Sequence, residues 1–270
     1  MYLAYLSYVP LFYWVTLALF VGVVFGSFAN VVIYRVPLSK SVINPPSACP
    51  SCKRRLTVID LVPVLSWLVL RARCRTCKSK ISIRYPLVEL ACGVLFASMV
   101  VFNTSLSVLP LFALAFMLLT ITLIDFDTQE IPDGLIIFGA ISGAVWVVLG
   151  YISPTLFPGS LTWLDALLGM VAGAAPLFIF DRLTILILGK DGFGYGDYKL
   201  MAVVGIFLGW QVTLGAFFFA FIAGGIFAAF LMASGRAKRG EYMAFGPFLC
   251  AGALASMWLG ERLFNLLYGV

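Results

Sequence analysis

Long apolar runs recur along most of the chain and leave little room for a soluble fold. Of its 270 residues, 62% are hydrophobic and only 11% are charged, whereas about a quarter of the residues in soluble domains are charged. About 20 consecutive apolar residues are enough for a helix to span the hydrocarbon core of a bilayer. The sequence therefore predicts an all-α polytopic membrane protein.

Eight apolar segments are predicted to cross the membrane. They cover residues 11–33, 86–101, 109–125, 131–149, 164–188, 198–208, 212–232 and 245–266. The first lacks a basic leader and a small-x-small cleavage site, so we expect a retained helix rather than a signal peptide. Within it, Asn30 is predicted to hydrogen-bond to a neighbouring helix. The sixth segment is short because Gly205, Gly209 and Trp210 interrupt the apolar run.

Charge is concentrated in the segment that joins the first two predicted spans. Residues 35–84 hold 11 of the 18 Lys and Arg residues and a single acid, Asp60, whereas the predicted turns at 102–108 and 150–162 hold no Lys or Arg. Basic loops of this length stay in the cytoplasm, which predicts a cytoplasmic loop and an N-terminus outside. A nucleic-acid patch is the alternative, but topology and anionic lipid explain charge directly beside membrane spans. Lipid is therefore an expected partner and nucleic acid is not.

Two Cys-x-x-Cys pairs lie in the same loop, Cys49 with Cys52 and Cys74 with Cys77. The pairs are separated by 21 residues (74 − 52 − 1), which nearly matches the spacing of four-thiolate zinc sites. Cytoplasmic thiols stay reduced, so disulfides are the weaker explanation, and the neighbouring cations favour the thiolate form that a metal needs. The spacing predicts a structural Zn²⁺ ion with four protein ligands, with free cysteines as the alternative.

These features divide the chain into three parts. Residues 1–34 are predicted to form the first transmembrane helix, residues 35–85 a cytoplasmic basic zinc loop with four cysteines, and residues 86–270 a seven-helix membrane core. No feature of the sequence indicates an oligomeric state.

Two acidic clusters stand where predicted spans begin or end. One runs from Asp125 to Asp133, and the other contains Asp197, which follows alternating glycines at positions 192, 194 and 196. An ionisable residue close to lipid is costly and therefore indicates function, whereas a flexible polar loop between helices is the ordinary alternative. The predicted topology places Asp125 and Asp197 together at the cytoplasmic end of the helices.

Histidine is absent from the chain, which excludes Ser-His and Cys-His hydrolases and His-x-x-x-His zinc proteases. Acid–base chemistry near neutral pH must then come from carboxylates, Lys, Tyr or Cys. Two neighbouring carboxyl groups can share one proton, so that the ionised one activates water while the protonated one polarises a carbonyl. Asp125 and Asp197 are therefore predicted to form an aspartyl dyad that hydrolyses a peptide bond.

Two other functions fit parts of the sequence. An ion- or proton-coupled transporter would also place acids such as Asp125 and Asp197 in the membrane. Against it, the predicted pair lies at one face rather than at the midplane, and no internal repeat is evident. A zinc-bearing binding module anchored in the membrane would explain the cysteines but would leave both acidic clusters unused.

Taken together, these motifs resemble the prepilin peptidases, which are aspartyl proteases with a Gly-x-Gly-Asp motif. The resemblance covers nearly the whole chain and rests on the two Cys-x-x-Cys pairs and on residues 26–35, 84–90, 124–133 and 194–197. It implies a multi-pass protein of the bacterial cytoplasmic (inner) membrane that serves type IV pilus or type II secretion systems. The partners it implies are type IV prepilins and pseudopilins.

By this resemblance, Asp125 and Asp197 are the catalytic pair, and Asp127 is the alternative for the first aspartate. The same motifs imply supporting roles for Asp127, Asp133, Gly194, Gly196 and Lys199. Family members remove a short basic leader after a glycine on the cytoplasmic face and then methylate the new N-terminus with S-adenosylmethionine. Because the sequence contains no Rossmann-type methyltransferase domain, no residues are assigned to that cofactor.

Overall fold

The structure is a computed structural model that describes residues 9–103, 105–189, 192–235 and 244–268. Within these residues every regular element beyond two isolated bridges is a helix, which confirms the predicted all-α class. The chain folds as two compact units, residues 1–104 and residues 105–270. In the described part, six helices are long and apolar enough to cross a membrane, and a shorter apolar helix covers Gly246–Leu259.

The first unit contains two long helices joined by the basic loop. Helix α1 spans Leu11–Arg35 and, after the loop, helix α3 spans Arg84–Phe102. The loop itself holds only a 3-10 turn at Val58–Leu61 and the short helix α2 at Leu65–Val69. The boundaries of α1 and α3 lie within two residues of the predicted first and second spans.

Helices α1 and α3 pack closely because glycine lets their backbones approach. A Cβ atom at Gly26 would lie only 2.6 Å from the Cα atom of Glu89. One turn further on, the Asn30 side chain donates a hydrogen bond of 3.1 Å to the carbonyl of Tyr85, which confirms the predicted interhelical bond. Small residues and amide hydrogen bonds join helices in lipid, where the hydrophobic effect does not draw them together.

The described part of the second unit contains five helices. They are α4 (Val108–Thr128), α5 (Asp133–Ile152), α6 (Trp163–Leu188), α7 (Tyr195–Ala233) and α8 (Gly246–Tyr268). The fully buried side chains that form its core come mainly from α4, α6, α7 and α8, and they include Leu114, Met117, Ile121, Leu177, Leu200 and Leu249.

Helices α6 and α7 come into backbone contact through glycines spaced one turn apart. A Cβ atom at Gly169 would clash with the carbonyl of Gly205, and one at Gly173 would clash with the carbonyl of Met201. Since the residue numbers rise along α6 as they fall along α7, the two helices are antiparallel. This register brings the last turns of α6 beside the first turns of α7, where Asp197 lies.

Helix α7 is bent sharply at Gly209, whose φ of 73° and ψ of 173° are not helical. A straight helix of 39 residues would be about 58 Å long, far more than a hydrocarbon core of about 30 Å. The ring of Phe245 contacts Phe193 at 5.3 Å and Phe221 at 5.4 Å, although a straight helix would hold residues 193 and 221 about 40 Å apart. The two halves of α7 therefore fold back toward each other. They correspond to the sixth and seventh predicted spans, so the long helical segments in the described residues number about eight, as predicted.

We expect Gly209→Ala to lower the melting temperature of the purified protein. Its backbone conformation is one that essentially only glycine adopts, and strain of this kind costs roughly 1–3 kcal/mol. A Cβ atom there would also lie 3.2 Å from the Leu161 side chain. Gly225→Ala on the same helix is the matched control, because its Cβ atom would meet nothing within 4 Å and alanine favours a helix. Equal melting temperatures for the two variants would contradict the bend.

Candidate active site

The two acidic clusters meet at one end of the second unit. Asp125 lies in the last turn of α4 and Asp197 in the first turn of α7. Both are buried, with 5% and 6% of their surfaces exposed, and their carboxyl groups are close enough to interact electrostatically. Ile131 lies beside them and contacts the backbones of Gly196 and Gly246. The structure thus brings together the two aspartates that the sequence pattern singles out.

Asp197 is held by the glycine stretch that precedes it. The backbone N–H of Gly194 donates to Oδ2 of Asp197 at 3.1 Å, and the N–H of Asp197 donates to the carbonyl of Gly194 at 3.1 Å. This reciprocal pair caps α7 and fixes the carboxylate at the start of the helix. Gly196 has no room for a side chain, because a Cβ atom would lie 2.8 Å from Ile131.

Asp125 is approached by the start of α8. The backbone N–H of Gly246 faces its carboxyl group, and a Cβ atom at Gly246 would lie 2.5 Å from Oδ2 of Asp125. That oxygen is buried and has no hydrogen-bond partner among the described residues. Because a buried polar atom without a partner is costly, Oδ2 is suited to share a proton or to contact a substrate.

An aromatic contact joins the two backbone segments that face the aspartates. Gly194 follows Phe193 and Gly246 follows Phe245, and the two rings pack edge to face with their centroids 5.3 Å apart. Each carboxyl group is therefore faced by the N–H of a glycine that comes directly after one member of this aromatic pair. The contact couples the loop before α7 to the start of α8, and so helps to set the separation of the two carboxyl groups.

The other aspartates of the predicted site lie outside this buried centre. Asp127 is exposed, because a helix turns by about 200° over two residues and Asp125 faces inward. Asp133, the first residue of α5, forms an ion pair of 2.7 Å with Lys199 of α7. The side chains of this pair are 68% and 49% exposed, so it contributes at most about 1 kcal/mol. It nevertheless joins α5 to α7 at the same end of the unit.

A second group of convergent side chains lies in the first unit. The sulfur atoms of Cys49, Cys52, Cys74 and Cys77 all lie within 4.8 Å of one another. Four thiolates around a tetrahedral Zn²⁺ ion, each at about 2.3 Å from the metal, would be about 3.8 Å apart. The sulfurs of Cys49 and Cys77 are 3.8 Å apart. The four predicted ligands therefore fit a zinc site.

The two cysteine pairs sit in turns of the same shape. The N–H of Lys53 donates to the carbonyl of Cys49 at 2.9 Å, and the N–H of Lys78 donates to the carbonyl of Cys74 at 3.1 Å. Lys53 and Lys78 both have positive φ, 57° and 59°, which closes each turn immediately after the second cysteine of its pair. Two equivalent turns thus present two thiols each to a common point.

Backbone N–H groups and neighbouring thiols act against each other in this cluster. The N–H groups of Cys52 and Ser51 lower the pKa of the Cys49 thiol to about 6. The N–H of Arg54 acts in the same direction on Cys52, but desolvation and the neighbouring thiols raise the pKa of Cys52 to about 11. Ionisation of one thiol therefore disfavours ionisation of its neighbour. A dication removes this opposition, so the cluster suits a metal better than four free thiols.

Asp60, the single acid of the basic loop, joins the two turns. Its carboxylate accepts hydrogen bonds from Arg54 at 2.7 Å, from Arg75 at 2.9 Å and from the N–H of Thr57 at 3.1 Å. The Thr57 N–H and the two guanidinium groups hold the pKa of Asp60 well below its usual range. Because Arg54 follows the first cysteine pair and Arg75 lies inside the second, this carboxylate fixes one turn against the other.

Comparison with known proteins identifies the family of this chain. Residues 20–103 match the Bacterial Peptidase A24 N-terminal domain, and residues 112–229 match the Type IV leader peptidase family. A Pseudomonas putida protein named prepilin leader peptidase/N-methyltransferase is 36% identical to this chain, with 92% of each chain covered. Proteins of the same name from Bacillus subtilis (strain 168) and Neisseria gonorrhoeae are 31% and 35% identical, over 90% and 87% of this chain and 94% and 87% of their own. The chain belongs to the type IV leader peptidase family.

Each of the two family matches contains one of the two sites. The N-terminal match contains all four cysteines of the thiol cluster, and the leader peptidase match contains Asp125 and Asp197. No solved structure matches the chain.

Two residues that the structure places next to this buried centre are not predicted from the sequence. Gly246 faces Asp125 from 121 positions away (246 − 125), and the only signal for it is a Gly-Pro pair at the start of a helix. Asp181 lies near the end of α6, where the sequence alone is equally consistent with a charged residue at the lipid headgroups. The structure instead buries Asp181, with 4% exposed, against the loop that leads to Asp197.

For the thiol cluster, we expect the purified protein to contain about one zinc ion per chain. The double substitution Cys49→Ser and Cys52→Ser should remove the metal, because it leaves only one of the two ligand pairs. Metal analysis by mass spectrometry measures both values. The control is Cys92→Ser with Cys250→Ser, two buried cysteines outside the cluster. Zinc content that is unchanged by loss of Cys49 and Cys52 would contradict the site.

Proposed function

We propose that this chain is a membrane aspartyl endopeptidase that removes the leader peptide from type IV prepilins or pseudopilins. The observation that supports this most directly is the meeting of two buried aspartates, Asp125 and Asp197, in a member of the type IV leader peptidase family. The name of its relatives supplies the substrate class. No observation favours the transporter alternative, since both acids lie at the ends of helices and are close enough to interact electrostatically.

In the proposed reaction, the ionised member of the pair takes a proton from water as the water oxygen attacks the scissile carbonyl carbon. The protonated member passes its proton toward the carbonyl oxygen, and a tetrahedral intermediate forms. As the intermediate collapses, the C–N bond breaks and a carboxyl proton passes to the leaving amine. The N–H groups of Gly194 and Gly246 would hold the two carboxyl groups in place before substrate binds, which lowers the cost of reaching the reactive geometry.

We place this reaction on the cytoplasmic face of the bacterial inner membrane. The basic loop at residues 35–84 favours the cytoplasm, and each later span reverses direction, so the ends of α4 and α6 and the start of α7 lie on that side. A substrate with an apolar helix would then present its cleavage site, after a glycine, at the membrane boundary. The glycines around Asp197 leave backbone accessible to an extended substrate segment.

We further infer that the chain methylates the new N-terminus with S-adenosylmethionine, because its relatives carry N-methyltransferase in their name. The three-part division remains our proposal: a first helix at residues 1–34, a zinc loop at 35–85 and a membrane core at 86–270 that contains the protease site. The zinc ion would be structural, since protein ligands fill all four positions. In the core, Gly194, Gly196 and the Asp133–Lys199 pair would support the dyad by fixing the start of α7.

Replacement of either dyad residue should abolish peptide cleavage. Asp125→Asn and Asp197→Asn keep the size of the side chain but remove the exchangeable carboxyl proton. Each should reduce cleavage of a prepilin, followed by mass spectrometry, on the order of 10³-fold or more. Asp127→Asn, which changes an exposed neighbour on the same helix, should lose far less activity. Cleavage that survives in both single variants would refute the dyad.

The same variants test whether the two activities are separate. Methyl transfer requires no activated water, so Asp197→Asn should still methylate a substrate that is supplied without its leader. The readout is the mass of one added CH₂ group. If a folded Asp197→Asn variant fails to methylate that substrate, the two reactions share this carboxylate.

Membrane topology can be tested with a cysteine introduced at Ser39, which lies in the basic loop and is exposed. An impermeant thiol reagent should label it only after the cells are made permeable, because the loop is expected to lie inside. A cysteine introduced at Thr155, in a predicted outer turn, should be labelled in intact cells. The unsubstituted chain gives the background from its own thiols. Labelling of position 39 in intact cells would place both aspartates on the opposite face.

A further inference from the structure

Asp181 is a buried carboxylate that the proposed reaction does not use. It lies near the end of α6, and only 4% of its surface is exposed. Its Oδ1 atom accepts the N–H of Gly192 at 2.8 Å and the N–H of Phe193 at 3.2 Å. The nearby charge is that of Arg182, whose guanidinium lies 5.0 Å from the ring centre of Phe178. The Tyr198 hydroxyl also lies beside this carboxylate, and the two backbone N–H groups tie the carboxylate to the loop that leads into α7.

Three further contacts hold the same loop. The ring of Phe180, next to Asp181 in α6, packs edge to face on Phe193 with centroids 5.6 Å apart. The hydroxyl of Tyr198 donates to the carbonyl of Phe193 at 3.1 Å. Thr184 leaves little room at Gly192, where a Cβ atom would lie 3.1 Å from its hydroxyl oxygen. Phe193 is thus fixed at its N–H, its ring and its carbonyl.

The contacts of Phe193 affect Asp197 through a single peptide unit. The carbonyl of Phe193 and the N–H of Gly194 belong to the same planar peptide unit, so the orientation of one sets the orientation of the other. The N–H of Gly194 is the group that donates to Asp197 Oδ2. Asp181 orients the preceding peptide unit, and a rotation there would turn the Gly194 N–H away from Asp197.

Asp181 caps neither of the adjacent helix ends directly. Helix α6 ends with Gly189 in the left-handed conformation, and its N–H bonds to the carbonyl of Ile185. Helix α7 is capped by the reciprocal bonds between Gly194 and Asp197. Because Asp181 belongs to neither cap, it acts on the start of α7 only through the loop backbone at Gly192 and Phe193.

We propose that Asp181 is a positioning residue that sets the orientation of Asp197 by anchoring the backbone of Gly192 and Phe193. The proposal rests on the proposed peptidase function, in which Asp197 is half of the dyad. It requires an oxygen acceptor at position 181 rather than a negative charge, because one amide or carboxylate oxygen can accept both N–H groups.

The test is the kinetics of prepilin cleavage by the full-length protein in detergent. Asp181→Ala removes the acceptor and should lower kcat about 10- to 100-fold, the size of effect expected for a small misplacement of a catalytic group. KM should change less than about threefold, since substrate contacts are not altered. Asp181→Asn keeps the acceptor and should stay within about threefold of the wild-type kcat. A merely structural role would give no such rescue by asparagine at equal melting temperature.

Two further variants keep the outcome decisive. Asp165→Ala changes an aspartate at the opposite end of the same helix, where it bonds to Thr162, and should leave kcat unchanged. Tyr198→Phe removes the hydroxyl that bonds to the Phe193 carbonyl and lies beside Asp181, and it keeps the ring. It should therefore also lower kcat with little change in KM. If Asp181→Ala does not fold, Tyr198→Phe and Asp181→Asn still test the loop. Wild-type kcat in Asp181→Ala or Tyr198→Phe, or an Asp181→Asn as slow as Asp181→Ala, overturns the proposal.

The dyad variants separate this result from failure of the proposed function. If the wild type cleaves no prepilin, or Asp197→Asn cleaves like the wild type, the peptidase assignment fails and the positioning role fails with it. If the wild type is active, Asp197→Asn is inactive and Asp181→Ala is unimpaired, only the positioning role is overturned.

Discussion

The interaction on which the second unit depends is the burial of two neighbouring carboxyl groups at one end of a helix bundle. Charge next to lipid is costly, and two like charges side by side cost more. Within the described residues, backbone N–H groups rather than cations contact the carboxyl groups of Asp125 and Asp197. Because an N–H group carries no net charge, it can fix a carboxyl group without forcing it to stay ionised, and a pair that shares a proton requires that freedom.

Glycine makes this arrangement possible at several levels. At Gly169 and Gly205 it lets α6 and α7 touch through their backbones, which aligns the end of one helix with the start of the next. At Gly246 it allows the main chain to approach a carboxyl group that a side chain would block. At Gly209 it permits a backbone conformation that turns the chain back. The same residue type therefore supplies packing, hydrogen bonding and reversal within one unit.

The all-α class, the membrane spans, the four cysteines and the meeting of Asp125 with Asp197 follow from patterns within the sequence. Hydropathy predicts which segments span, and successive spans alternate in direction, so both aspartates are expected at one end. What these patterns do not specify is which faces of the helices meet. The approach of Gly246 to Asp125, and the anchoring of Phe193 by Asp181, depend on helix rotation and on loop conformation. The bridging role of Asp60 depends likewise on how two turns pack.

The position of Gly246 in the chain also determines at what stage of synthesis the site can be completed. Asp125 lies in the first helix of the second unit, and the backbone that faces it lies at the start of the last. During synthesis the earlier helices enter the membrane first, since domains form from the N-terminal side as the chain emerges. The backbone group that faces Asp125 is therefore missing until helix α8 has inserted. A ribosome-bound or truncated chain that stops before residue 246 would carry both aspartates and yet lack a finished centre.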